Sequence, residues 1–168
     1  CALKVQAACY GTMSNFTFGN NNFGYYETIC GGEGASNHHN GADAIQCHMT
    51  NTRLTDPEIL ELRYPVRVNN FSIRKNSGGK GLFKGGNGVV REIQFNQNMT
   101  AVILSNRRKV SPLGILDGEN AKKGINILKT KNKKLKKLKS SESVNIKKGD
   151  TIIIKTPGGG GYGKKATV

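Results

Sequence analysis

The chain has 168 residues and a formal charge of +15, enough for one domain with a genuine core and too few for two large ones. No apolar run approaches the roughly 20 residues that a membrane-crossing helix requires, and no signal-peptide pattern is present, so a cytoplasmic setting without membrane contact is expected. The charge is uneven: residues 1–64 carry three basic side chains against six acidic, and the remainder carries 23 against five.

Residues 10–29 (YGTMSNFTFGNNNFGYYETI) alternate aromatic and polar positions around Gly19 and Gly24. That pattern predicts a hairpin, with Phe16 and Phe18 on one face and a turn at Asn20–Asn22. Residues 31–42 (GGEGASNHHNGA) read as one long loop, which in a folded domain is functional or disordered more often than inert. The four cysteines, Cys1, Cys9, Cys30 and Cys47, never fall in a CxxC spacing, which argues against a zinc ribbon and for reduced, partly buried thiols.

The string His48-Met49-Thr50-Asn51-Thr52-Arg53-Leu54-Thr55-Asp56-Pro57-Glu58 packs an imidazole, hydroxyls, an amide, a guanidinium and carboxylates into consecutive positions. It precedes the one helix signal. Thr55 is the predicted cap, Glu58 completes a capping box, and Asp56 and Pro57 suit the first turn. Ile59 and Leu62 are placed on its buried face, and Pro65 limits it to about two turns. From Val66 the period becomes two, with a phase slip at Asn69–Asn70 that predicts a bulge before Phe71 and Ile73.

Residues 77–88 (SGGKGLFKGGNG) form a glycine-dense connection. Further strands are predicted at Val89–Phe95, Ala101–Leu104 (buried), Ile125–Leu128, Val144–Ile146 and Thr151–Ile154, the last two joined by a tight turn at Lys147–Asp150. The interval 129–143 reads as a lysine-rich linker or surface loop. Its densest part, KTKNKKLKKLK, has no interleaved aromatic to stack bases, so nucleic acid is disfavoured as a partner. The expected fold is α+β, mostly β: a sandwich- or barrel-like lobe of short strands with one short capped helix and long glycine-rich loops.

Three motifs invite chemistry. Gly158–Lys164 (GGGGYGK) fits a phosphate loop, but Lys165 stands where a hydroxyl must meet the metal and no helix follows. A close-packed glycine turn is the better reading. His38, His39, Asp43 and His48 are near enough in sequence for a metal site, yet nothing around them supplies the partners that orient metal-bound imidazoles, and no metal ligand is assigned. His48 remains open between a structural histidine and a proton-handling one flanked by Thr50, Asn51 and Thr52 as substrate contacts. No serine sits in a nucleophile elbow, and Arg107-Arg108 either pairs a carboxylate or caps a strand end, the cap being the slightly preferred reading.

The blocks GTMSNFTFG, FGYYETICGGEGA, GADAIQCHMTNTRLTDPEILELRYPVR, FSIRKNSGGKGLFKGGNGVVREI, ILSNRR and GDTIIIKTPGGGGYG, in this order, closely resemble the C-terminal part of the hydantoinase B/oxoprolinase family. The resemblance covers residues 1–168 apart from 130–143 and the tail after Gly163. It implies part of an ATP-dependent cyclic amide hydrolase, opening 5-oxoproline to glutamate or a hydantoin to an N-carbamoyl amino acid, in a family that also includes ketone carboxylases. It further implies that ATP is held by a hydantoinase A-type partner subunit or domain, and that any divalent metal is held by N-terminal residues outside this stretch. His48, Asn51 and Asp56 are the expected catalytic residues, with Thr50, Thr52 and Arg53 contacting a small cyclic amide. On this reading the chain is a piece of a longer protein and inactive alone. The competing expectations are a non-catalytic basic β module docking on an acidic partner or nucleic acid, and a decayed remnant without activity.

Overall fold

Strand-period alternation and glycine turns divide the chain into two antiparallel sheets. The computed structural model describes residues 5–48 and 50–164, so Cys1, Met49 and Lys165 of the motifs above lie outside the described residues. The first sheet takes β1 (Ser14–Asn20), β2 (Phe23–Thr28), β5 (Met99–Ser105) and β8 (Ser141–Ile146) in the order β2-β1-β5-β8. The second holds β3 (Val66–Ile73), β4 (Val89–Phe95), β6 (Ile125–Lys129), β7 (Leu135–Leu138) and β9 (Thr151–Lys155) in the order β3-β4-β9-β6-β7. Every pairing of adjacent strands for which register is defined is antiparallel. The result is sandwich-like and mostly β, with no closed barrel among the described residues.

The core lies between the sheets. Phe16 and Phe18 of β1 share a face because successive strand residues alternate sides, and both are buried with Ile93, Phe95, Ile152 and Ile154 of the opposite sheet. Phe18 meets Phe95 edge-on at 5.5 Å, a favoured aromatic geometry. One ion pair is buried in the same layer: Arg91 of β4 donates from Nε (2.7 Å) and Nη2 (2.9 Å) to the Glu27 carboxylate of β2, and Tyr25 Oη donates to that carboxylate at 2.8 Å. The Arg91 guanidinium also covers the Phe71 ring, 4.9 Å from its centroid. This pair is fully desolvated, and its forked geometry is what makes such burial tolerable.

Several expectations are met in detail. The hairpin turns at Asn21–Asn22, and the β3–β4 register shifts between Val68 and Asn70. Others are corrected. The helix α1 (Pro57–Arg63) is capped by Asp56, whose side chain accepts from the Glu58 amide at 2.9 Å, and not by Thr55. Glu61 rather than Glu58 makes the further backbone contact, accepting from Val68 N at 2.7 Å. With so short a helix lying against β3, Leu60 is the residue that is buried, whereas Ile59 and Leu62 are exposed. β5 is central in its sheet yet only half-buried: Ala101 and Ile103 face the core while Val102 and Leu104 face outward. Strand β7 lies inside the lysine-rich interval; of its residues only Leu138 is buried.

The glycine-rich segments are ordered by each other. Gly86 N donates to Glu33 O, Gly159 N to Gly86 O, Gly79 N to Gly159 O, Ala35 N to Gly160 O and Gly160 N to Ala8 O, all between 2.8 and 2.9 Å. These backbones lie so close that a Cβ on Gly159 would overlap the Glu33 carbonyl and one on Gly85 would overlap the Gly159 carbonyl. Glycine is the one residue that permits such an approach.

Candidate functional site

Ser14 opens β1 opposite Ser105, which closes β5, so residues just before β1 and just after β5 leave the first sheet at the same end. There a cavity of about 740 Å³ opens between residues 6–12, 45–48 and 106–107, with Glu33 at its side. Residues 7–10 are held in place by the glycine web: Ala7 N donates to Ala35 O (2.9 Å) and Tyr10 N to Gly32 O (3.0 Å). The 45–48 segment is fixed from the other side. Ile45 pairs with Gly31, Gln46 donates to Thr28 O (2.7 Å) and Tyr10 Oη donates to Gln46 Oε1 (2.9 Å).

Two chemically active groups meet on the wall of this cavity. Cys9 Sγ lies 2.9 Å from His48 Nε2, and the Gly11 amide donates to the same sulfur at 3.4 Å. The Cys9 thiol is drawn down to about 6, first by a hydrogen bond from Cys47 and then by the Gly11 backbone and His48, against the opposing effect of burial. The Cys47 thiol is correspondingly raised, chiefly because it donates to Cys9. Cys30 shows the contrast: buried in the core, its thiol is pushed up to about 11 by desolvation.

The opposite lip is polar. Gln6 donates to Glu33 Oε1 (3.3 Å) and Gly34 O (2.7 Å). Arg107 is half-buried, lines the cavity and makes no ion pair among the described residues. Its neighbour Arg108 is a structural group, donating to Asn126 Oδ1 and Asn106 O. Both His48 (φ 57°) and Arg107 (φ 55°) have left-handed backbones, a conformation that costs a non-glycine residue about 1–2 kcal/mol and that concentrates where function demands an unusual side-chain direction. Gly11, at φ 105°, lets the Arg107 side chain lie alongside it.

Of the residues expected to act on or contact substrate, His48 alone lines this cavity. Thr50 sits beside it, donating from Oγ1 to Thr12 O at 2.9 Å. Asn51, Thr52 and Arg53 are exposed and are not brought to the cavity, and the exposed Asp56 is engaged as the helix cap. The polar string is away from the wall from Asn51 onward. Cys9, Cys47 and Glu33 were not anticipated as site residues, and Arg107 was considered only as a carboxylate partner or a strand-end cap. The sole hint was that Cys9 and Cys47 fell outside every zinc spacing and yet on either side of a glycine-rich loop.

The glycine tail does not fit a phosphate group, because the amides of Gly159, Gly160 and Gly161 already donate to Gly86 O, Ala8 O and Glu119 O. His39 Nδ1 lies 2.9 Å from its neighbour's Asn40 O, and Asp43 accepts from Asn87 N at 2.6 Å. Among the described residues no group of three or more His, Cys, Asp or Glu side chains is arranged to hold a metal ion. No helix of the described residues is long and apolar enough to cross a membrane.

The sequence and the fold both match known proteins. The family model described as hydantoinase B/oxoprolinase matches residues 1–165. The chain is 56% identical over 166 residues to a 5-oxoprolinase of Dictyostelium discoideum, covering 97% of this chain and 13% of the relative. It is 51% identical over 162 residues to 5-oxoprolinase 1 of Arabidopsis thaliana, covering 96% of this chain and again 13% of the relative. The fold superposes on the crystal structure of the ATP-dependent caprolactamase from Pseudomonas jessenii with a TM-score of 0.80 at 24% identity, covering 95% of this chain and 30% of that one. The chain therefore spans about one-eighth of the length of the 5-oxoprolinases it matches.

Proposed function

The chain belongs to the hydantoinase B/oxoprolinase family, and from that premise we propose that it supplies one wall of the site in an ATP-dependent cyclic amide hydrolase, with 5-oxoproline opened to glutamate as the reaction. ATP, bound by an A-type subunit or domain outside this chain, supplies phosphoryl activation of the amide oxygen. A cyclic amide is resonance-stabilised, and its opening needs proton transfer to the leaving nitrogen and fixed donors for the developing anion. His48 is the group here that can carry that proton, since its ring lines the cavity with Nε2 2.9 Å from Cys9 Sγ.

One observation favours 5-oxoproline over a neutral lactam. Arg107 faces the same cavity as His48 without an ion pair among the described residues, and a guanidinium in that position can take the ring carboxylate through two parallel hydrogen bonds. The half-buried Thr50 and the exposed Asn51, Thr52 and Arg53 are assigned to contacts with substrate or with the remainder of the longer protein.

The test is ATP hydrolysis coupled to ring opening in the intact protein, comparing 5-oxoproline with 2-pyrrolidinone, the same ring without its carboxylate. The proposal predicts ADP release with 5-oxoproline and little with 2-pyrrolidinone, and a rise in KM for 5-oxoproline of about tenfold or more in Arg107→Gln. Equal turnover of both rings would remove Arg107 from the account. No ADP release with any cyclic amide would remove the function.

A further inference from the structure

The cavity wall holds an arrangement that ring opening does not by itself require: two thiols and an imidazole on one lining, with one thiol and the imidazole in contact. We propose that Cys9 is a peroxide-reactive thiolate with Cys47 as its resolving thiol, because Cys9 Sγ sits 2.9 Å from His48 Nε2 and beside Cys47 on the wall of an open cavity. The inference stands apart from the proposed function, since it needs neither ATP nor a cyclic amide.

Thiolate character, a route for the oxidant and a second thiol within reach are what distinguish an oxidation-sensitive cysteine from an inert buried one. Cys9 has all three. Its sulfur accepts from the Gly11 amide and contacts His48, the cavity of about 740 Å³ admits a small peroxide, and Cys47 lines the same cavity. Cys30 lacks the first two: it does not line the cavity and belongs to the core with Ile29 and Phe16, and burial raises its thiol. The segments that carry the two thiols are independently anchored, residues 7–10 by the glycine web and 45–48 by Gly31 and Thr28, so their approach is fixed by the fold.

The chemistry balances with hydrogen peroxide as the oxidant. Cys9 Sγ attacks one peroxide oxygen, the S–O bond forms as the O–O bond breaks, and the departing hydroxide takes the proton held between Cys9 and His48 to leave as water. Cys9 is then a sulfenic acid. Cys47 gives its proton to His48 and its sulfur attacks Cys9 Sγ. The S–O bond breaks, and the hydroxyl leaves as water with the proton returned from His48. Two thiols lose two electrons, one peroxide gains them, and a Cys9–Cys47 disulfide closes across the cavity wall. His48 then loses its thiol partner.

The experiment is peptide mass mapping of the intact protein after mild peroxide treatment. The expected result is a Cys9–Cys47 disulfide that dithiothreitol reverses, with Cys30 left as a free thiol. Cys9 and Cys47 both remaining alkylatable, or Cys30 oxidising first, would overturn the proposal. Cys47→Ser separates the two steps: it should leave a sulfenic acid on Cys9 that dimedone captures, and absence of that adduct in a folded Cys47→Ser protein would also overturn it. His48→Asn should slow Cys9 labelling about fivefold at neutral pH, whereas Cys30→Ala should change nothing. A His48→Asn rate equal to that of the unsubstituted protein would contradict activation by the histidine.

Discussion

Cys9 and Cys30 are the same residue type in opposite electrostatic settings, and that difference can be measured directly. Hydrogen bonds from Cys47, Gly11 and His48 hold the Cys9 thiol at about 6, so its alkylation by iodoacetamide should rise as pH increases through 6 and level off by about pH 7.5. Cys30, raised to about 11 by burial, should stay unlabelled over that range. A Cys9 profile still climbing at pH 8.5 would contradict the assigned contacts. Because the folded-state value is depressed, the thiolate contributes stability above the ordinary thiol range and loses it as pH falls through 6. The Glu27–Arg91 pair is the other decisive residue-scale feature. Removing one partner leaves an uncompensated charge with no water to reach it, so Arg91→Ala should lower unfolding stability by about 3–5 kcal/mol in chemical denaturation, and the double variant Glu27→Gln, Arg91→Met should recover part of that. Neither the thiol contact nor this ion pair was legible in the sequence, because each joins residues 39 and 64 positions apart. His48 was legible, since its polar surroundings marked it.

At the scale of elements, local chemistry read well and partner choice read poorly. The bulge at Asn69–Asn70 and the tight turn at Lys147–Asp150 follow from period and turn residues, and the structure reproduces both. The helix was found, but its cap was placed one residue early, since Thr55 and Asp56 are both good caps and only the coordinates show which side chain reaches the Glu58 amide. Asp56→Ala should therefore cost about 1 kcal/mol and Thr55→Ala clearly less, as read from denaturation midpoints. The alternating burial of β5 was missed because a run such as AVIL looks the same whether one face or both are covered. The glycine web has its own test. Gly159→Ala forces a Cβ into the Glu33 carbonyl, and its cost should exceed the about 1 kcal/mol typical of substitutions; a melting temperature unchanged from the parent would show that the segments pack less closely than described. Since Gly160 N donates to Ala8 O, the same substitution should also disturb the Cys9 labelling profile.

Across the described residues, two antiparallel sheets, one short helix and a packed set of glycine segments present a cavity at the end where β1 enters and β5 leaves. The family was legible in the sequence because its blocks are long and unusual. The placement of the polar string was not, since Asn51, Thr52 and Arg53 lie exposed and off the cavity wall. The chain matches only 13% of the length of its 5-oxoprolinase relatives, so the cavity wall has to be tested in the intact protein. The most direct measurement is the turnover number for ATP-coupled opening of 5-oxoproline in His48→Asn, with circular dichroism confirming that the sheets are retained. The account predicts a fall of about 100-fold or more, the usual weight of a positioned acid–base group. Turnover within about twofold of the unsubstituted protein would contradict it.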